Sequence, residues 1–389
     1  MNVSKVQEFH RLWIVPRPID FINLKFKMPD MDLYLDRLKN LQKQIKIKKF
    51  DAVLITSFEN IIYLTGFSAF SKEERDAYLL ISKDKAYLLT HSIYSQITKK
   101  EIPHFETIEI SRRLTPVKVI KKLFKRNLKL GIEENNLTAS EYKKLLKITF
   151  DIKDFNFSES RIIKTLGEIE FISKACQLGD KTFEFILKKL KVGVSEKEIA
   201  FLIDEFIRKN GAEISFRPIV AFNKHAAYPH HQSGDEKLSK EVGQLILLDF
   251  GAKINGYCSD MTRTVFLGKP KEEFKKMYEV VLKAQTLSAD SITENKTAAS
   301  VDKIARDYIL KNNFPNMIHS LGHGIGLEVH EAPYLSPKSK NKLNHGMVFS
   351  IEPGIYIEGV GGVRIEDLYY LNNNKLERLT SSENRLVVI

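Results

Sequence analysis

Four carboxylates and one imidazole in the second half of this 389-residue sequence have the types and spacing to hold a pair of divalent cations. The first acid, Asp249, closes the apolar run Leu245-Ile246-Leu247-Leu248, which reads as a buried strand. A carboxylate in such a place is costly unless something positive answers it. Asn255-Gly256 follows, the dipeptide favoured in two-residue hairpin turns, and a return strand runs from Tyr257 to Phe266. That turn pairs Ile254 with Tyr257 and sets Gly251 opposite Asp260. Asp249 and Asp260 then become diagonal neighbours on one face of the sheet, within reach of a shared ion.

The same device recurs near the C-terminus. Phe349 to Ile357 carries Glu352, and after Gly359, Gly361 and Gly362 a return strand runs through Val363-Arg364-Ile365-Glu366. Folding the segment about Gly359 sets Glu352 opposite Glu366, and the two-residue period of a strand puts Arg364 on their side. Either pair alone reads as well as salt-bridged or solvent-facing acids as it does as metal ligands. Two hairpins each supplying two acids do not.

Between the hairpins lies His319-Ser320-Leu321-Gly322-His323-Gly324-Ile325-Gly326-Leu327-Glu328-Val329-His330-Glu331, whose alternating glycines let a backbone approach closely and whose histidines can ligate or donate. A lone histidine is more often structural. Four carboxylates with an imidazole, however, make the ligand set for two hard or borderline divalent ions about 3.5 Å apart. Three look-alikes fail. Asp249-Phe250-Gly251 has no accompanying kinase catalytic loop, Gly322 to Gly326 lacks dinucleotide-loop spacing, and His330-Glu331 has no second histidine at zinc-motif distance.

The elements that must position these residues divide at about residue 160. From Asp32 a helix (Tyr34 to Lys48), strands at 52–55, 78–81, 86–90 and 128–132, and a helix opened by Thr138-Ala139-Ser140-Glu141 read as an α/β unit. The second half opens with a helix over 164–191 and another after Ser195, which Glu198 completes as a capping box. Strands and turns dominate from Ser215, with helices near 274–291 and 301–311. The domains expected are 31–160 and 161–389, preceded by an extension, 1–30, of unassigned purpose.

Composition narrows the class. At 43% hydrophobic residues the chain can bury two cores, and Cys176 and Cys258 stand too far apart to suggest a disulfide framework or thiolate site. Charged residues interrupt the apolar patches of the first thirty residues, and no run is long enough to span a membrane. A cytoplasmic protein is expected. The net charge of +12 raises nucleic acid as a partner, but stretches such as Lys39 to Lys49 and Lys121 to Lys129 alternate lysine with apolar residues, as on amphipathic helices with wet outer faces. No nucleic-acid motif accompanies them, so neither nucleic acid nor membrane is expected as a partner.

From Leu33 to the C-terminus the chain resembles the creatinase/prolidase family of metallopeptidases. The likeness rests on Leu248-Asp249-Phe250-Gly251, Asp260-Met261-Thr262-Arg263-Thr264, Gly322-His323-Gly324-Ile325-Gly326 with His330-Glu331, Glu352-Pro353-Gly354 and Arg364-Ile365-Glu366. It implies a creatinase-like α/β N-terminal domain and an α+β pita-bread catalytic domain with a curved antiparallel sheet. It also implies Asp249, Asp260, His323, Glu352 and Glu366 as ligands of two divalent ions, manganese first with cobalt, zinc or iron as alternatives. Asp260 and Glu366 would bridge, and Arg364 would steady the ligands from behind. Tyr228-Pro229-His230-His231-Gln232 resembles the family's Pro-His element. His230 is the better match to its active-site histidine, with His231 the alternative.

The activity this implies is hydrolysis of a bond before proline in short peptides, by a homodimer. Glu352 would act as base and proton carrier, His330 would help stabilise the oxyanion, and His230 would contact substrate near the leaving nitrogen. Some prolidases similar to this chain have Arg after the His-Glu-x-Pro segment, where Tyr334 stands here. That departure favours an Xaa-Pro aminopeptidase, with an Xaa-Pro dipeptidase (prolidase) as the alternative and a non-catalytic peptide-binding module of the same fold as a further one.

Overall fold

The structure, a computed structural model, describes residues 31–124, 128–149 and 151–389, so the expected extension over 1–30 lies outside the described residues. Helix Met31–Ile47 turns Tyr34, Arg37, Leu38, Leu41 and Ile45 inward, the stripe of a surface helix, while Lys39, Lys43 and Lys46 stay wet. It covers one face of a six-stranded mixed sheet ordered 106–109, 86–90, 77–82, 52–55, 130–132, 152–154. Helix Ala139–Leu145 begins at Thr138, which forms the capping box with Glu141. Of the stretch Lys121 to Lys129, helix Pro116–Leu123 takes the first three residues, and residues 125–127 lie outside the described residues. The strand expected over 128–132 is found at Leu130–Ile132, with Leu128 and Leu130 buried in the core of the sheet.

The second half is built around strands that are almost all antiparallel. Helices Leu166–Leu187 and Glu196–Lys209 each start on a capping box, Thr165 with Glu168 and Ser195 with Glu198. Their apolar faces pack on Ile246, Leu248 and Phe250 of strand Gln244–Phe250, whereas Leu245 and Leu247 join the core under helices Glu272–Asp290 and Ala298–Lys311. By that alternation Asp249 points away from the first helix pair. Met261–Leu267 and Ile219–Phe222 flank its strand on either side. A five-stranded sheet, ordered 331–335, 322–324, 348–351, 367–372, 375–378, carries the histidine segment and the second pair of acids.

One residue run stitches the two hairpins together. Thr264 Oγ1 donates to Arg364 O at 3.0 Å, Glu366 N donates to Thr262 O at 3.1 Å, and the fully buried Arg263 donates to Asp367 Oδ1 at 2.6 Å and Ser382 O at 3.0 Å. Among the described residues no helix is long and apolar enough to cross a membrane.

The halves share a core in which Leu41, Ile45 and Leu79 meet Ile169, Tyr257 and Leu368. A polar knot sits inside it. Arg37 donates to Tyr63 O at 2.9 Å, pairs with Glu168 Oε1 at 3.1 Å, and Tyr257 Oη donates to the same oxygen at 2.9 Å. Removing one partner of a buried pair leaves the other uncompensated. Arg37→Met should therefore lower unfolding stability in urea by about 3–5 kcal/mol; a loss under 1 kcal/mol would mean the knot contributes little.

Candidate metal centre

The hairpin registers follow the sequence expectation. Ile254 pairs with Tyr257 across Asn255 and Gly256, whose φ angles of 49° and 83° suit the two-residue turn. Phe250 pairs with Met261 and Asp249 with Thr262 in the same register, so Asp260 lies diagonal to Asp249 on its face. In the second hairpin Ile351 pairs with Asp367 on one side and Gly354 with Arg364 on the other. Both pairs obey one register, which sets Glu352 opposite Glu366.

His323 enters from the strand Gly322–Gly324. A Cβ at Gly322 would lie 2.0 Å from Ser350 O, and one at Gly324 would lie 2.2 Å from Ala332 O, so only glycine lets this strand seat between its neighbours. The His323 ring bonds Gly324 O through Nδ1 at 3.1 Å, leaving Nε2 to face Glu352 Oε1 at 3.1 Å and Asp260 Oδ2 at 3.8 Å. His330 stands edge-on to it, ring centroids 4.2 Å apart.

Around His323 three ligand groups overlap, each with donor atoms within 4.8 Å of one another: Asp249 with Asp260 and Glu366, His323 with Glu352 and Glu366, and Asp260 with His323 and His330; Glu196 with His225 and His231 forms a fourth group of the same kind apart from them. Glu366 belongs to the first two groups, and Asp260 to the first and third. Burial pushes the Asp260 carboxyl well above the usual carboxylate range, as do the charges of Glu366 and Asp249. Burial does the same to Glu366, with Glu352 and Asp249 adding to it, and raises Asp249 against the pull of Arg364. Glu352 moves the other way, to about 2, because the His323 hydrogen bond and charge outweigh its burial. His323 is raised in turn by Glu352 against its own burial. Both directions describe a buried cluster short of positive charge. Asp249 Oδ1, Asp260 Oδ1 and Glu366 Oε1 are buried with no hydrogen-bond partner among the described residues. Such atoms are expensive to leave unanswered, and an oxygen-rich set with one imidazole suits divalent cations. The residues present fit a two-ion centre.

The surrounding groups hold the ligands from behind. Arg364 Nη2 donates to Asp249 Oδ2, Nε to Thr262 Oγ1 at 2.9 Å, and Nη1 to Tyr356 Oη at 2.8 Å. Thr262 Oγ1 donates to Glu366 Oε2 at 2.8 Å, and Ser350 Oγ accepts from His323 N at 3.0 Å and donates to Glu352 Oε1 at 3.1 Å. Sequence reasoning did not single out Thr262, Ser350 or Tyr356. Thr262 and Ser350 each stand two residues from a ligand, so the strand period could have found them.

Glu196 was also missed, and no spacing signals it. Fully buried at the start of its helix, it accepts from Phe222 N and Gly234 N and bonds His225 Nδ1 and His231 Nε2, each His contact at 2.8 Å. His231 is thereby committed to Glu196, while His230 is exposed. Both line a cavity of about 580 Å³ together with Phe216, Arg217, His330, Tyr334 and the five cluster residues. The two alternatives left open in the sequence thus have different surroundings.

Residues 37–165 match the model of the Creatinase/Prolidase N-terminal domain, and residues 170–373 match that of metallopeptidase family M24. The Xaa-Pro dipeptidase of Pyrococcus furiosus is 36% identical over 367 residues, covering 90% of this chain and 99% of its own. A prolidase structure from Thermococcus sibiricus superposes with a TM-score of 0.85 at 36% identity, covering 93% of this chain and all of its own. An X-Pro aminopeptidase structure from Thermotoga maritima does so at 0.81 and 32%, covering 90% and 99%.

The raised carboxylates give metal loading a pH signature. Folded, metal-free protein retains protons on Asp260 and Glu366 that the unfolded chain has released, so their contribution to stability falls as pH rises above the ordinary carboxylate range. Divalent ions held by these carboxylates would compete with those protons and stabilise the folded state. The gain in melting temperature on adding Mn2+ to chelator-treated protein should therefore grow from about pH 5 to about pH 7.5. A gain that is absent, or the same at both ends, would contradict this account of the cluster.

Proposed function

The chain belongs to metallopeptidase family M24, and from that premise we propose that it is an Xaa-Pro dipeptidase, splitting two-residue peptides before a C-terminal proline. Its architecture is a creatinase-type α/β domain followed by an M24 pita-bread domain. We take these units as 31–160 and 161–389.

The observation that carries the proposal is full-length likeness, at 36% identity, to proteins named Xaa-Pro dipeptidase and prolidase. The sequence alone favoured an Xaa-Pro aminopeptidase because Tyr334 replaces an arginine. Tyr334 does line the cavity, but only as one of several side chains that bound it, so its identity alone does not decide substrate length. Aminopeptidase activity remains the second reading, favoured by the likeness to the Thermotoga maritima structure. Phe216, Pro218, Ile219, Pro229 and Val329 give the cavity apolar walls suited to a pyrrolidine ring.

In this proposal Asp249, Asp260, His323, Glu352 and Glu366 would hold two divalent ions, manganese foremost. The ions, when bound, supply an acidified water and polarise the scissile carbonyl. The protein's own groups supply the rest. Glu352, held by Ser350, takes the proton from the attacking water and delivers it to the proline nitrogen as the C–N bond breaks. Burial first, and His323 second, bring the His330 pKa down to about 4, so at neutral pH it is an uncharged donor for the developing oxyanion. His230 faces the substrate from the cavity wall, and Arg364 fixes Asp249. A bond before proline has no N–H, which is why recognition falls to the apolar walls and these donors. Two free, buried cysteines accord with a cytoplasmic setting, where we place the protein as a homodimer.

Mn2+-loaded protein should hydrolyse Gly-Pro with kcat/KM at least about tenfold above that for Gly-Pro-Gly, the discrimination expected from one charged contact; the reverse order would establish the aminopeptidase. His230→Ala should lower kcat by about 10²–10³-fold while metal content and melting temperature stay unchanged. His231→Ala should instead lower the melting temperature, since it strips buried Glu196 Oε2 of its imidazole partner and leaves only Gly234 N to answer it. Identical behaviour of the two variants would remove the distinction drawn between these histidines.

A further inference from the structure

We propose that Arg217 is the specificity-determining residue of the cleft, receiving the C-terminal carboxylate of the substrate. This deepens the dipeptidase proposal and rests on it. A dipeptide differs from the start of a longer peptide by one group, a carboxylate on the residue after the scissile bond. Only a nitrogen and a Cα separate its carbon from the scissile carbonyl, so it sits about 3–4 Å away. It must therefore enter the same cavity as four buried acids, and without a positive group beside it both desolvation and repulsion oppose binding.

Two arginines line that cavity. Arg364 is spent, because it is buried with its guanidinium donating to Asp249, Thr262 and Tyr356. Arg217 is exposed, and among the described residues its guanidinium has no hydrogen-bond or ion-pair partner. Its backbone is nonetheless pinned on both sides. Ser215 N donates to Gly251 O at 2.9 Å, and the Ser215 Oγ hydroxyl lies between two acceptors, Ala252 O at 2.7 Å and Ser259 O at 2.8 Å, beside Asp260. Downstream, Pro218 is buried and Val220 N donates to Ser233 Oγ at 2.8 Å, on the loop that carries His230. Arg217 thus stands on a short span fastened between the ligand hairpin and the His230 loop. The combination of an anchored backbone with an uncommitted guanidinium fork fits a planar carboxylate, which that fork can bind through two parallel N–H bonds. The half-exposed Tyr334 phenol lines the same cavity and offers a neutral donor.

The test uses full-length Mn2+-loaded protein with Gly-Pro and Gly-Pro-amide, which share the scissile bond and differ in the carboxylate. Arg217→Gln should raise KM for Gly-Pro about tenfold or more with little change in kcat, and raise the inhibition constant of free proline in parallel. The preference for Gly-Pro over the amide should collapse, and Arg217→Lys should restore part of it. An unchanged KM for Gly-Pro in Arg217→Gln overturns the assignment while leaving the dipeptidase proposal standing. Equal losses on both substrates, or lost metal content, assign Arg217 a structural role and also overturn it. A wild-type protein that cleaves Gly-Pro-Gly but not Gly-Pro sinks the dipeptidase proposal, and this inference with it.

Discussion

Four carboxylates gathered in a buried place must be answered by positive charge, and most of the structure around the centre follows from that constraint. Burial and mutual repulsion drive Asp260 and Glu366 toward holding protons, while the groups nearest to supplying positive charge are Arg364 on Asp249 and His323 on Glu352. Three carboxylate oxygens remain unanswered. A cluster of this kind is a poor way to stabilise a fold, and its persistence makes sense as a binding site for cations absent from the polypeptide.

Holding mutually repelling groups in register requires a stiff frame, and the frame is the pair of hairpins. Thr262, Arg263 and Thr264 bond across to the second hairpin by both side chain and backbone, so the acids of one cannot drift from those of the other. Ser350 couples His323 to Glu352 in the same way. On the far side of the cavity the fully buried Glu196 gathers two backbone amides and two imidazoles, fixing the loop on which His230 and His231 stand. One wall thus concentrates negative charge, and the other presents histidines and an arginine.

Much of this was legible in the sequence because strands have a strict two-residue period and the Asn255-Gly256 turn fixes its register. Those two facts alone placed Asp249 beside Asp260, and folding about Gly359 placed Glu352 opposite Glu366. What stayed hidden depended on contacts between segments remote in the chain. Glu196 precedes His231 by many residues and reads locally as part of a helix start. Arg37 reads as one more charge on an amphipathic helix, yet it is buried against Glu168 in the other half. That Glu196 bonds His231 and leaves His230 exposed was likewise invisible. Alternating lysine and apolar residues suit either a helix or the approach to a strand, and around Lys121 to Lys129 both occur, with helix Pro116–Leu123 ending before strand Leu130–Ile132.

The central claim is that the five cluster residues hold two ions through shared acids. It is tested most directly by counting metal per chain, using elemental analysis of protein equilibrated with Mn2+ and freed of excess. The wild type should hold two ions and Asp260→Asn should lose both, since in the proposed centre that carboxylate would serve both ions. One ion or none in the wild type, or two ions retained by Asp260→Asn, would contradict it.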